Sequence, residues 1–210
     1  MATIPPPLEK LLRQLGKLPG LGPRSAQRVA LALLQAPEKL QLLQTSLHDI
    51  QSQLTLCTHC NNLAFAQQNS QSPAPARCEI CTSPTRNPQQ ICVVEGIADI
   101  WAIERSHSFQ GHYHVLGGTV SALTGVGPED LKIPLLIQRV KQHNATEVIL
   151  ALGASIEGQT TSHIITERLQ TIPNPPKITT LAKGMPVGAA VDYMDEGTLT
   201  LALQNRQSVA

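Results

Sequence analysis

The sequence predicts an α+β chain in several parts: a helical N-terminal region, a small four-cysteine metal-binding finger, and a C-terminal α/β domain with a mainly parallel sheet. Three observations predict this architecture. Leucines recur at helical spacing near the N-terminus, two Cys-x-x-Cys pairs follow, and short apolar runs then alternate with helical segments. The chain has 210 residues, enough for one large domain or two small ones.

Composition limits the classes of function. The formal net charge is +1, so any contact with nucleic acid has to come from a local basic patch. Aromatic residues make up 2% of the chain, which argues against base-stacking platforms for single strands. The sequence has no apolar run long enough to span a membrane and no signal-peptide pattern at its start. We therefore expect a protein of the reducing cytoplasm without membrane contact.

Three helices are expected in residues 1–56. The first has five leucines on one face and ends at Pro19-Gly20, because glycine and the residue before proline both disfavour the helical conformation. Pro23 suits the first position of a second helix. The third helix is expected from Pro37 to Leu54, with an apolar face along it. The leucines of the first face are Leu8, Leu11, Leu12, Leu15 and Leu18.

The segment Leu18-Pro-Gly-Leu-Gly-Pro-Arg-Ser-Ala resembles a helix-hairpin-helix DNA-binding motif. The amides of Gly20 and Gly22 can approach a phosphate, which the positive end of the second helix also favours. Arg24 and Arg28 lie one turn apart and can both reach the DNA backbone. Such contacts do not recognise base sequence. The alternative is an ordinary helical hairpin with solvated arginines.

Two Cys-x-x-Cys pairs, Cys57/Cys60 and Cys78/Cys81, have the spacing of a structural zinc finger. Four thiolates complete a tetrahedron and leave no open position for chemistry on water. Two disulfides or four free thiols are the alternatives. His59 could replace a ligand, but with four cysteines present we expect it to face solvent. We expect Cys92, in an apolar run, to be a small buried residue.

After Pro88, the predicted strands and helices alternate as in a parallel α/β domain, whose ligands meet the carboxyl ends of the strands. Glu95 ends the first strand, and Glu157 is expected in a loop after the third. The string Val-Val-Glu-Gly-x-x-Asp from Val93 to Asp99 resembles the opening motif of Toprim domains. Their later metal-binding Asp-x-Asp is replaced here by residues 151–154, Ala-Leu-Gly-Ala. We therefore expect a scaffold for docking that does not cleave DNA.

The acids of this region have simpler alternatives as well. Glu95 could cap the helix that follows it, and we expect Asp99 to act on the helix dipole or in packing. Near the end of the chain, residues 191–196 resemble a Walker B strand, but no phosphate-binding loop accompanies them. A closing helix is predicted from Thr198.

The order of these parts resembles the RecR family of bacterial recombination mediators, over nearly the whole chain. The resemblance implies a non-catalytic DNA-repair factor that forms a ring-shaped tetramer and, with RecO and RecF, loads RecA onto gapped or single-stranded DNA. It implies that Arg24 and Arg28 face DNA and that the four cysteines hold one structural zinc ion. The surface around Glu95 and Glu157 would face RecO. Gln159 departs from the acidic residue common in relatives, which weakens a metal role there.

We expect five parts along the chain: 1–56 helix-hairpin-helix region, 57–81 zinc finger, 82–88 linker, 89–183 Toprim domain, and 184–210 C-terminal loop and helix for oligomerisation. Two other functions stay open. One is a magnesium-dependent Toprim nuclease or primase-like enzyme using Glu95, and the other is a structural zinc protein that does not contact DNA. The sequence does not indicate the oligomeric state by itself.

Overall fold

The computed structural model describes residues 4–66, 76–182 and 184–206. The chain forms two compact units, Met1–Thr55 and Leu56–Ala210. The α+β architecture expected from the sequence is confirmed, with helices in the first unit and a four-stranded parallel sheet in the second.

The first unit contains α1 (Pro6–Leu15), α2 (Pro23–Gln35) and α3 (Pro37–Gln53). A proline near the start of each helix fits there because the first amides have no partner within the helix. Buried Ala26 and Ala30 let α2 pack closely against its neighbours. The hairpin thus rests on small side chains at one helical face.

One expectation for this unit was wrong in detail. The first helix ends at Leu15, earlier than predicted, because residues 16–18 continue in tight i to i−3 turns around Gly16. Leu18 is therefore exposed. The apolar face of α3 is also largely exposed within a single chain, at Leu43, Leu47 and Ile50.

The second unit begins with a finger. Strands β1 (Leu54–Leu56) and β2 (Leu63–Phe65) form a two-stranded sheet, and a single helical turn, α4 (Glu79–Thr82), follows. The first Cys-x-x-Cys pair lies in the turn between β1 and β2, and the second lies at α4. Ile80 packs against the cysteine cluster and also against the core of the sheet, so the finger shares its packing with the larger domain.

The larger domain contains β3 (Asn87–Val94), β4 (Gly111–Val115), β5 (Glu147–Ala151) and β6 (Lys177–Thr180), all parallel in the order β4-β3-β5-β6. The helices are α5 (Ile97–Arg105), α6 (Ile133–His143), α7 (Ile156–Gln170) and, after a 3₁₀ turn at Val191–Tyr193, α8 (Glu196–Gln204). None of the helices in the described residues could cross a membrane.

Side chains from both faces of the sheet are buried, as in a parallel sheet covered by helices. On one face Ile91, Val93, Val148 and Leu150 form a core with residues of α6 and α7. On the other, Cys92, Val94 and Val115 pack with α5, so the prediction of a buried Cys92 is confirmed. Since both faces are covered, the carboxyl edge of the sheet stays open for a site.

Candidate functional site

The four finger cysteines come together as a buried cluster. Their sulfur atoms all lie within 4.8 Å of one another, and the sulfurs of Cys60 and Cys78 are 3.4 Å apart. A zinc ion bound by four thiolates at about 2.3 Å would hold neighbouring sulfurs about 3.8 Å apart, so the cluster fits such an ion. All four cysteines are free, which excludes the disulfide alternative in this structure.

Backbone turns bring the sulfurs together. The amide of Asn61 donates to the carbonyl of Cys57 at 2.8 Å, and Asn61 adopts a left-handed conformation that turns the chain directly after Cys60. Hydrogen bonds among the sulfurs, the one from Cys60 first, lower the pKa of the Cys57 thiol well below its ordinary value, and those with Cys57 raise the pKa of Cys60 and of Cys81. The Cys57 sulfur is therefore favoured as a thiolate, which is the form that binds metal.

The finger is docked onto the sheet domain through specific contacts. The amide of Val115 donates to the carbonyl of Cys60 at 2.9 Å, and the side-chain amide of Asn61 donates back to the carbonyl of Val115 at 3.2 Å. His59 Nε2 lies 2.8 Å from His143 Nε2 at the end of α6. The expectation that His59 faces solvent was wrong, because this contact half-buries the ring.

In the first unit, the predicted phosphate-binding turn has an open backbone. Gly20 has φ +78°, which a residue with a side chain rarely adopts, and Gly22 precedes the first turn of α2. A Cβ atom added to either glycine would meet no atom within 4 Å. The first turn of α2 carries no acidic residue, so its positive end is not neutralised from within. Arg24 and Arg28 are both exposed on this helix.

At the carboxyl edge of the parallel sheet, the predicted acids have separate partners. Glu95 Oε1 accepts a hydrogen bond from the amide of Gly153 at 2.6 Å, while Asp99 Oδ2 accepts one from the amide of Gly96 at 2.8 Å. Asp99, and not Glu95, therefore caps α5. The alternative role for Glu95 as the helix cap was wrong.

Glu157 lies in the first turn of α7 and not in a loop, since α7 begins at Ile156. The side chain of Ser155 accepts a hydrogen bond from the amide of Gly158 and caps the helix there. This serine, followed by an acidic residue, is the sequence signal that could have predicted the earlier start. Gln159 uses its side-chain amide to bond the carbonyl of Ala154.

An open hollow of about 530 Å³ adjoins this edge of the sheet. Glu95 and Asp99 line it on one side, and Leu56 and Asn61 of the finger line it on the other. It has both apolar and acidic walls. The finger and the sheet thus jointly border one concave surface.

These features define a class: a helical hairpin with an open glycine turn, a four-cysteine metal-binding finger, and a Toprim-type sheet without its second carboxylate pair. A family model described as "Toprim domain" matches residues 89–182. Models described as "RecR, helix-hairpin-helix" and "RecR, C-terminal" match residues 8–50 and 184–207.

Whole-chain relatives agree with these matches. "Recombination protein RecR" of Erythrobacter litoralis (strain HTCC2594) is 48% identical over 203 residues, 96% of this chain and 97% of its own. The protein of the same name from Bradyrhizobium sp. (strain ORS 278) is 46% identical over 207 residues, 98% of each chain. That from Maricaulis maris (strain MCS10) is 43% identical over 209 residues, 99% of this chain and 98% of its own. The chain belongs to the RecR family of recombination proteins, and a role in recombination repair follows.

Proposed function

We propose that the protein is a DNA-binding mediator of recombination repair that holds the sugar-phosphate backbone through its helix-hairpin-helix turn. The observation that carries this proposal is the open backbone from Gly20 to Gly22 at the start of α2, beside exposed Arg24 and Arg28. Backbone amides, the helix dipole and two cations converge there on one anion-binding surface. Binding by such a surface is independent of base sequence.

The experiment compares two double variants that each lose two positive charges. Arg24→Ala/Arg28→Ala removes the cations of the motif, and Lys10→Ala/Lys39→Ala removes two from elsewhere in the same unit. We expect the arginine variant to bind DNA about ten-fold or more weakly at 0.1 M salt, with a shallower salt dependence. The lysine variant should bind within about three-fold of the wild type. Equal losses in both variants would favour a diffuse field and contradict the proposal.

We further propose that Cys57, Cys60, Cys78 and Cys81 hold one structural zinc ion per chain. Four buried sulfurs within 4.8 Å support this assignment, because soft thiolates in a tetrahedral set select zinc over magnesium or calcium. When bound, zinc supplies folding energy to the finger and no catalysis. A cytoplasmic location, in association with the nucleoid, is part of the proposal. The reducing cytoplasm keeps thiols such as these four free to bind metal.

The partners proposed are DNA, RecO and RecF, with promotion of RecA loading on gapped or single-stranded DNA as the outcome. The proposed RecO-facing surface is the hollow lined by Glu95 and Asp99, together with Glu157 in the first turn of α7, the helix that follows the neighbouring strand β5. A fluorescence-anisotropy titration with labelled RecO should give weaker binding to a Glu95→Ala/Asp99→Ala/Glu157→Ala variant. If the variant binds RecO as tightly as the wild type, RecO docks on another surface of the protein.

A ring-like homo-oligomer is part of the proposal. Apolar side chains are exposed on α3 and in the C-terminal segment, at Leu43, Leu47, Val187 and Val191, where a ring would bury them. Light scattering should give the molar mass of a dimer or tetramer for the protein alone. After DNA is added, the molar mass should increase further or correspond to a stable protein–DNA complex. A monomer at all concentrations, with and without DNA, would contradict it.

We propose that the Toprim-type site is not catalytic. Glu95 is bonded to a backbone amide, and residues 151–154 contain no carboxylate that could complete a metal pair. Supercoiled plasmid incubated with the protein and Mg²⁺ should stay intact. Nicking that disappears in a Glu95→Gln variant would instead favour the magnesium-dependent nuclease.

A further inference from the structure

Arg139 on α6 is a buried cation that pairs with no carboxylate of the described residues. Its side chain is 0% exposed, and no ion pair among the described residues includes it. Nη1 donates to the carbonyl of Tyr113 at 2.7 Å, while Nε and Nη2 have no hydrogen-bond partner in the described part of the chain. A buried charge that is left uncompensated costs several kcal/mol, so its retention requires a source of negative potential.

His114 does not supply that potential. Its Nε2 lies 2.8 Å from the carbonyl of Lys132 and so carries the proton, which leaves Nδ1 to accept from Arg139 at 3.3 Å. The ring is therefore neutral. The carbonyl of Tyr113 is likewise a dipole and not a charge.

The finger is docked beside this arginine. His143, one helical turn after Arg139, contacts His59, which lies between Cys57 and Cys60. The amide of Val115, two residues after Tyr113 on β4, bonds the carbonyl of Cys60. The segments of α6 and β4 that surround Arg139 are thus the ones that contact the finger.

The cysteines act electrostatically on the guanidinium. Burial lowers the pKa of Arg139 below its ordinary value, and the four finger cysteines, Cys81 first, act in the opposite direction. Four thiolates with one divalent ion carry a net charge of −2. In a buried setting such a charge is screened little by water.

We propose that Arg139 is the buried counter-ion of the metal-thiolate centre, so that metal binding in the finger and packing of α6 against β4 stabilise each other. The inference rests on the proposed zinc site. The attraction acts through space, since the guanidinium makes no hydrogen bond to a sulfur. A purely structural role, through the bond to Tyr113 alone, is the competing explanation.

The test measures zinc affinity by competition with a chromogenic chelator in the full-length protein. Arg139→Met keeps an unbranched apolar stem but removes the guanidinium, and Arg139→Lys keeps the charge. Arg168→Met is the control, since Arg168 pairs with Glu129 at the surface. We expect Arg139→Met to bind zinc about ten-fold or more weakly, as seen for outer partners of metal sites. Arg139→Lys should stay within about three-fold, and Arg168→Met should be unchanged.

Thermal unfolding with and without zinc separates the two explanations. A counter-ion predicts that zinc raises the melting temperature less in Arg139→Met than in the wild type. A purely structural role predicts that Arg139→Met lowers the melting temperature equally with and without zinc and leaves the zinc affinity unchanged. That result would overturn the inference. A wild-type protein that holds no metal would instead remove the proposed site itself.

Hydrogen exchange on the wild type covers the case in which Arg139→Met does not fold. Chelation of zinc should reduce amide protection in α6 around Leu136 and Val140, which face the core, and leave protection at Ile178 of β6 unchanged. If chelation reduces amide protection only in the finger and at Val115, then only the docking contacts respond to metal removal. That result would refute the inference.

Discussion

The carboxylate of Glu95 accepts a hydrogen bond from the amide of Gly153 at 2.6 Å, which ties the end of β3 to the loop after β5. In a Toprim-type site the glutamate at this position would serve acid-base chemistry beside a metal ion. Here it accepts a hydrogen bond from the backbone of residues 151–154, a segment without a carboxylate. The residue thus has a structural partner that accounts for its presence.

Loss of this bond should weaken the fold modestly. Glu95→Ala is expected to lower the free energy of unfolding by about 1 kcal/mol, because Gly153 loses a charge-assisted bond that water only partly replaces at this open edge. Urea unfolding checks the value. Glu167→Ala is the control, since Glu167 pairs with exposed His163 at the surface, and its effect should be under about 0.5 kcal/mol. Equal losses of unfolding free energy in the two variants would mean that the Glu95–Gly153 hydrogen bond does not stabilise the fold.

The finger cysteines should differ from the fifth cysteine in metal content. Cys60→Ser should lose zinc, since the tetrahedron is then incomplete, while Cys92→Ala should keep one zinc per chain because Cys92 lies in the core of the sheet. Elemental analysis of the purified variants measures the difference. Equal zinc in both variants would remove the four-cysteine assignment.

Sequence reasoning succeeded where a local pattern determines the structure. The paired spacing of Cys57, Cys60, Cys78 and Cys81 predicted their convergence, and the alternation of strands and helices predicted the parallel sheet. Glycine and proline at positions 20–23 predicted the hairpin. Each of these signals acts over a few residues, so the rest of the chain cannot easily override it.

Contacts that depend on the order of strands could not be predicted. The Glu95–Gly153 bond exists because β3 and β5 are neighbours, and the sequence does not state that order. Arg139 has the sequence setting of a solvated cation on an amphipathic helix, and its burial against β4 depends on the tertiary packing. Leu43 and Leu47 follow a core-like helical pattern, yet the single chain leaves them exposed.

Buried His114 should make stability depend on pH. Burial first, and then Arg139, lowers its pKa from 6.5 to about 3. Below pH 6.5 the unfolded chain therefore takes up a proton that the folded protein refuses, so stability falls as the pH is lowered from 6.5 toward 3. Between pH 7 and pH 5 this residue should cost about 2 kcal/mol.

The measurement is urea unfolding at pH 7 and pH 5 for three proteins. His114→Gln should lose less stability than the wild type over this range, whatever its stability at pH 7. Exposed His163 provides the control, and His163→Gln should follow the wild type. An unchanged pH dependence in His114→Gln would show that this ring does not titrate on unfolding as expected.

Two glycines of the hairpin should separate folding from DNA binding. Gly20 has φ +78°, so Gly20→Ala is expected to lower the free energy of unfolding by about 1 kcal/mol or more. Gly22 has φ −75° and open space around it, so Gly22→Ala should cost less than about 1 kcal/mol. Its new methyl group would nonetheless lie where a phosphate has to approach the amides of α2. We expect the DNA affinity of Gly22→Ala, measured by fluorescence anisotropy, to fall about ten-fold.

The control is Gly184→Ala, another glycine in open space, whose DNA affinity should stay unchanged. Full DNA affinity in Gly22→Ala would mean that the phosphate does not approach α2 at this turn. The arginines would then bind DNA without the hairpin backbone.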